Sequence, residues 1–405
     1  LVIPWTSKMF KIFRERRGYD LKPYLPALYT SMGEITSKIR YDFWRTLTEQ
    51  YSESYYKQIR DWCDTNGVLF TGHLLGEEWL RVHARCEGNI FKHLKHFHLT
   101  GVDHLYPKIG TESEPDQHVA LKLASSAAHY YGSARLLCES MGGTYWDCTL
   151  ERMKWIANWE YVLGVTIFNN HGYHYSIEGE RKRDWPPSQF YHHTWWKYYD
   201  QFTTYMSRLG HILSGGKHIA KILMLYPINS IWTNYIPQSR NDIGNVIEFD
   251  FNYLTDTLLR LHYDFDYTDE DILSEAIVEN GKLKIADEEF ELLILPPLTH
   301  IKASAFEKIQ EFVNGGGKVI ADTLIPTRLL EYEKDDAHQK LTDLFGKDPQ
   351  EMLNNFGNGA NFGVTHRNSN GDVYVIEGNG LNLERRKEKL NEIILKCIKP
   401  DLTIS

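Results

Sequence analysis

Cysteine is scarce and unpatterned. Cys63, Cys86, Cys138, Cys148 and Cys397 are odd in number and form no CxxC pair. That excludes a readable zinc site or disulfide framework and leaves the redox compartment undetermined. No run of about 18 apolar residues occurs, so no membrane-spanning helix is expected. Neither sign of charge dominates: 45 Lys and Arg are interspersed with 54 Asp and Glu, a net charge of -9. This is not the basic footprint of a nucleic-acid binder. With 42% hydrophobic and 24% charged residues the composition carries no disorder signature. Phosphate-cradling loops are missing too, since no GxGxxG opens a helix and no GK[ST] follows the triple glycine at 315–317. The chain does not open with Met. Leu1-Val2-Ile3-Pro4-Trp5 reads as the tail of a strand, so the chain is expected to start inside a domain. An upstream signal peptide would direct it to the periplasm or out of the cell.

Aromatic residues are plentiful: 11 Trp, 25 Tyr and 18 Phe, mostly within the first 240 positions. They fit either a large core or a sugar-binding cleft, where flat apolar rings and polar edges suit a pyranose.

From about Lys22 to Cys63 apolar residues recur at helical spacing, and Asn66-Gly67 ends the pattern. Four short apolar runs then read as strands: Val68 to Gly72, Leu99 to Asp103, Ala134 to Cys138, and Gly164 to Phe168. Helical patterns separate them at His118 to Tyr131 and Thr149 to Leu163. The strands start near 68, 100, 134 and 164, which matches about 31 residues per unit of a (β/α)8 barrel. Their continuous apolar character predicts burial on both faces.

After Ser214-Gly215-Gly216 the pattern changes. Strands are expected at Ile222 to Pro227, Phe290 to Pro297, Lys318 to Ala321 and Val373 to Ile376. Helices are expected at Asn245 to His262, Ser304 to Val313 and Asn382 to Cys397. Gly315-Gly316-Gly317 reads as a helix stop. The fold class is therefore α/β, with residues 1–215 as the C-terminal half of a TIM-type barrel and 216–405 as a second α/β domain with a parallel sheet and a mixed tail.

In such barrels the C-terminal strand ends line the active site. The groups delivered there are His73, Glu77 and Glu78, then Asp103, then Glu139, then His171 and His174. Acids from several strands at one rim suit a glycosidase, which needs one carboxyl to protonate the leaving oxygen and another to activate water or attack the anomeric carbon. Glu139, Asp103 and Glu77 are the catalytic candidates. His73, Glu78, His129, Trp146, His171 and Trp195 are the substrate-binding candidates. Each has a plainer reading. Glu139 pairs with Arg135, and of the adjacent Glu77 and Glu78 one is a surface residue. Asp103 caps the next segment, His129 is a helix-end histidine, and Trp195-Trp196, after Pro186-Pro187, belong to the core. Gly142-Gly143 would let a sugar approach the backbone beside Glu139. His93, His96 and His98 are irregularly spaced among lysines, so no metal ligands are assigned.

Several stretches together resemble glycoside hydrolase family 106, the α-L-rhamnosidases. These are Pro4-Trp5-Thr6, Arg17 to Leu21, Tyr24 to Leu28, Ala124 to His129 with Gly132, Cys138-Glu139-Ser140, Gly164-Val165, and Asn170-His171. Leu295-Pro296-Pro297 and Gly315-Gly316-Gly317 resemble the flavodoxin-like, glutamine-amidotransferase-like domain that follows the barrel there and in family 42 β-galactosidases. The resemblance covers roughly residues 1 to 330. It implies inverting hydrolysis of terminal α-L-rhamnosides in plant or bacterial polysaccharides, with a bound calcium assisting the sugar hydroxyls. Glu139 matches the family's general base at the end of strand seven, and Asp103 stands where a glutamate is usual at the end of strand six. The general acid is expected upstream of Leu1, so the fragment alone is expected to lack it. A homo-oligomer through the second domain is a further implication. Two alternatives stay open: a retaining β-galactosidase-like enzyme with Glu139 as nucleophile, and a carbohydrate-binding barrel without catalysis.

Overall fold

The computed structural model describes residues 3–133, 135–183, 185, 189–237, 242–356, 363–368, 370–377 and 383–399. Leu1, Val2, Ala134, Pro186, Pro187 and Asn382 lie outside the described residues. Two compact units form. One gathers Tyr51–Trp79 and Ile90–His218; the other gathers Leu1–Gln50, Leu80–Asn89 and Ile219–Ser405. The helical pattern over 22–63 resolves into a 3-10 turn at Lys22–Leu28, helix α1 (Ile35–Tyr51), a π-helical stretch at Ser52–Lys57 and helix α2 (Gln58–Asn66), which ends at left-handed Gly67.

In the unit of 51–79 and 90–218, strands β1 (Gly101–His104), β2 (Leu137–Ser140) and β3 (Ile167–Asn170) pair in parallel in that order. Helix α3 (Gln117–Tyr131) joins β1 to β2, α4 (Leu150–Val162) joins β2 to β3, and α5 (Tyr199–Leu213) follows. The small residues Ala124 to Ala128 explain how α3 is buried along most of its length. A Cβ at Gly164, whose φ is +105°, would lie 2.5 Å from Ser125 Oγ, so the turn after α4 packs directly onto α3. Thr149 caps α4 by accepting the Arg152 N–H.

Two expectations need correction. Val68 to Gly72 is not a full strand: only Thr71 bridges to Leu99, and Leu69 is exposed. The Phe70 carbonyl still accepts the backbone N–H groups of His98 and Leu99, but its own N–H donates to the His98 side chain, Nδ1, at 2.8 Å instead of to a ladder carbonyl. Nor are these strands buried on both faces. In β2, Cys138 and Ser140 are buried while Leu137 and Glu139 are half-buried. One face packs on the helices and the other is left for polar groups. The strands also sit later in the chain than expected, which places Glu139 inside β2 rather than after it.

The unit that includes Ile219–Ser405 is built on a six-stranded sheet. Its strands are β4 (Ile222–Leu225), β5 (Phe265–Thr268), β6 (Leu292–Leu295), β8 (Lys318–Asp322), β10 (Gly363–Asn368) and β11 (Asp372–Glu377). Helices α6 (Ile228–Asn234), α7 (Asp242–Arg260), α8 (Ala303–Asn314) and α9 (Leu383–Cys397) accompany it, and β7 (His300–Lys302) pairs in parallel with β9 (Arg328–Leu330) beside it. The strand order is β5-β4-β6-β8-β11-β10, parallel except at the β10 edge. Read in chain order the parallel part runs 2-1-3-4-5, a common doubly wound order whose ligand crevice lies where the order reverses. That point, at the ends of β4 and β6, is closed by the chain itself. Ser230 of α6 accepts the N–H groups of Thr299 and His300 and donates to the His300 carbonyl at 2.8 Å. Here the strands are buried on both faces, as in Ile222–Leu225 and Leu292–Leu295. Gly315 ends α8, and a Cβ at Gly317 would strike the Phe312 ring.

Candidate active site

The β1-β2-β3 register sets the site. Asp103, Glu139 and Asn169 are ladder partners, so their side chains share one face of the sheet. His104, Ser140 and Asn170 are partners on the other face. His73, just past the Thr71 bridge, reaches the first row: its Nε2 lies 3.1 Å from Glu139 Oε2 and its Nδ1 3.8 Å from Asp103 Oδ2. Nδ1 also donates to the Leu74 carbonyl at 2.7 Å. Both ring nitrogens thus face acceptors, as an imidazolium requires. Burial works against that charge, but Asp103, the Leu74 carbonyl, Glu77 and Glu139 together hold the His73 pKa above its ordinary value. Asp103 is pushed up to about 7, first by burial and then by Glu139, with His73 opposing. Its Oδ1 is buried without a hydrogen-bond partner.

Glu77 supports this row from behind. Its oxygens accept the N–H groups of Leu74 at 3.0 Å and Asp103 at 3.1 Å, and burial pushes its pKa up to about 8. Neither Glu77 nor Glu78 is on the surface; both are buried, and burial raises Glu78 as well. Behind β2 lies Glu160 of α4, fully buried. Ser140 donates to its carboxyl at 2.8 Å, the Cys138 thiol lies 3.7 Å away, and burial pushes its pKa up to about 8. Glu160 therefore grips both neighbours of Glu139 while Glu139 points to the opposite face. Sequence reading passed over Glu160 and Asn169. The signal for Glu160 was present: it continues the stripe Met153, Ile156, Ala157 at helical spacing, where a carboxylate is out of place.

The remaining candidates separate. Trp146 follows β2, His174 follows β3, and their rings stack with centroids 5.8 Å apart. The His171 N–H continues the ladder to the Ser140 carbonyl at 2.8 Å. Trp195 donates to the Cys148 carbonyl at 2.9 Å and stacks on Tyr199, packed against a core of Met141, Met153, Ile156 and Phe202. His129 is not brought to the row. It sits in the last turn of α3, at the entry end of β2, stacked on His218.

The glycines beside Glu139 are not an opening. A Cβ at Gly142 would lie 2.3 Å from Leu105 Cδ2 and 2.9 Å from His171 Cδ2. One at Gly143 would lie 2.5 Å from the Leu105 carbonyl and 3.0 Å from the Trp185 ring. The space a sugar was expected to use is taken by the chain, and Met141 before them holds a left-handed φ of 71°.

One ligand atom each from His73, Asp103 and Glu139 lies within 4.8 Å of the others. This donor set does not fit calcium, which takes about six to eight oxygen ligands. An imidazole already engaged with two acceptors and two carboxylate oxygens fall short of that shell.

The sequence profile of the α-L-rhamnosidase family, glycoside hydrolase family 106, matches residues 2–261. A protein of Formosa agariphila whose name proposes a beta-glucuronidase is 28% identical over 355 residues, covering 85% of this chain and 28% of that protein. The rhamnosidase from Novosphingobium sp. PP1Y superposes with a TM-score of 0.61 at 18% identity, over 96% of this chain and 35% of that one. The beta-galactosidase from Bacillus circulans sp. alkalophilus gives 0.67 at 13% identity, over 99% and 68%. The chain thus spans about a third or less of the first two. The fold is that of these α/β enzymes, and the chain belongs to glycoside hydrolase family 106.

Proposed function

We propose that the protein is a glycoside hydrolase that removes terminal α-L-rhamnosyl groups with inversion, with Glu139 as general base. In this reading β1, β2 and β3 are late strands of a (β/α)8 barrel, and the doubly wound sheet is a flavodoxin-like companion domain. The observation that carries it is the ladder row: register aligns Asp103 with Glu139, and His73 lies 3.1 Å from the Glu139 carboxylate. An imidazolium there orients the Glu139 carboxylate, ready to take a proton from water attacking the anomeric carbon. Asp103, half-buried, accepts from a sugar hydroxyl beside it. Asp103 is not the matching proton donor. One of its oxygens lies within 4.8 Å of a Glu139 oxygen. An inverting pair stands about 6.5–9.5 Å apart to admit the water. The donor is therefore a different carboxyl.

A second reading takes that short approach at face value. Retaining pairs stand about 5–5.5 Å apart. With its pKa pushed up to about 7, Asp103 would be protonated in about half of the molecules at neutral pH and act as acid there while Glu139 attacks. NMR of the first-formed anomer, using the full-length protein on an aryl α-L-rhamnoside, separates the two: an inverted product supports the base role, a retained one the nucleophile role. Binding without turnover by the full-length protein would remove both.

A further inference from the structure

We propose that the unit containing Ile219–Ser405 carries a second sugar site, a cavity of about 760 Å³ that takes a neutral, hydroxyl-rich ligand of the size of a sugar ring or two. It uses none of the residues of the hydrolase reading and does not rest on it. The volume falls in the range of about 300–1,000 Å³ typical of small-ligand sites. The cavity is lined on one side by the first turns of α1, with Lys38, Tyr41 and Asp42, and on the other by β7 and β9, where His300 and Arg328 are register partners.

His300 points to the ligand class. It is 8% exposed. His300 Nδ1 lies 3.0 Å from the Thr299 hydroxyl and 3.2 Å from the Thr233 hydroxyl. Nε2 is buried and has no hydrogen-bond partner. Burial, with Arg328 adding to it, pushes the His300 pKa down to about 3, so the ring stays neutral through the physiological range. A buried ring nitrogen with no partner is costly, and a ligand hydroxyl removes the cost whether that nitrogen donates or accepts.

The charges around it argue against an anion. Lys38 and Arg328 line the cavity together with four carboxylates, at positions 34, 42, 331 and 333. Lys38 is already paired with Asp42, and Glu331 is held by Arg45 and by the Tyr41 hydroxyl at 3.0 Å. Donors and acceptors therefore stand side by side. A hydroxyl is both at once, so a polyol can satisfy the His300 ring nitrogen and a carboxylate together, where an anion or a cation can satisfy only one kind.

The test uses the full-length protein with Glu139→Gln, so that turnover cannot confuse binding. L-Rhamnose and D-galactose are titrated separately, by calorimetry and by saturation-transfer NMR. We expect binding of at least one sugar that Arg328→Ala and His300→Phe, each in that background, weaken at least tenfold. Arg328 is half exposed, so its variant is expected to fold whether or not the His300 variant does; thermal unfolding checks both. Loss of hydrolase activity in the parent protein would leave this outcome untouched. Identical titrations with and without Arg328→Ala, or no binding of either sugar, overturn the proposal and leave the cavity to water.

Discussion

Two buried carboxylate sites, one in each unit, treat charge in opposite ways. At the end of β8, Asp322 is met by a guanidinium. Arg386 of α9 pairs with Asp322 and, at 2.7 Å, with Asp250, and donates to Thr323 at 2.8 Å. Burial works against the Arg386 charge, but the two aspartates hold it firmly ionised. Beside β2, among the described residues, burial outweighs any cation at Glu160 and at Glu77, where His73 opposes it only in part; protonation neutralises them instead. A fixed ion pair is indifferent to pH across the physiological range, whereas a carboxyl kept neutral by burial titrates there. The first arrangement suits scaffolding. The second surrounds Glu139 with groups able to hold or release protons, which is what acid–base chemistry needs.

The comparison can be broken most sharply at Glu139. Glu139→Gln in the full-length protein should lower kcat on an aryl rhamnoside by about 10²–10⁴-fold, the range for a positioned acid–base group. A fall of less than tenfold, about 1.4 kcal/mol, would mean that the row is not the reacting centre. Arg386→Met should cost about 3–5 kcal/mol in urea unfolding, because two aspartates lose their cation. If stability is unchanged, the ion pair is not what holds that end of the sheet.

The sign of the pH effect follows from the raised carboxyls. Glu160 is pushed up to about 8 in the folded state against an ordinary value near 4.5. The folded chain therefore binds more protons between those values, and stability is fully present below about 4.5 and falls as pH rises toward 8. Glu160→Gln should flatten that fall, by on the order of 4 kcal/mol between the two ends. Equal pH profiles for the two proteins in urea unfolding would rule out a buried, neutral Glu160.

His73→Gln removes the imidazole that orients Glu139, and kcat on an aryl rhamnoside should fall about tenfold, about 1.4 kcal/mol. An unchanged kcat would mean that His73 does not act on the base. Smallest of all, Trp195→Phe should leave KM within about twofold and cost about 1 kcal/mol of stability for its lost hydrogen bond. A large rise in KM would return Trp195 to the sugar-binding wall.

How much of this was legible depended on which force set the feature. Four strands of the six-stranded sheet, β4, β6, β8 and β11, lie where the sequence places them because Leu223, Leu293 and Ile320 are buried whatever their neighbours do, while β5 and β10 were not read from the sequence. The pairing of Asp103 with Glu139 in one row was legible because parallel strands end together. Val68 to Gly72 was misread because nothing in an apolar run says that a histidine side chain will take one N–H out of the ladder and leave a single bridge. Gly142-Gly143 announced a need for space but not its tenant. The grouping of Leu1–Gln50 with the later half rests on contacts across hundreds of residues, which local periodicity cannot report.

The tenants of those glycines have a consequence for change. Leu105 follows β1, Gly142 and Gly143 follow β2, and His171 and Trp185 follow β3, so three successive loops interlock at one spot. No one of them can be exchanged alone. A graft that brings a new loop after β2 must carry a residue small enough for the old neighbours, or replace those neighbours as well. Retailoring the rim is therefore a matter of moving all three pieces at once.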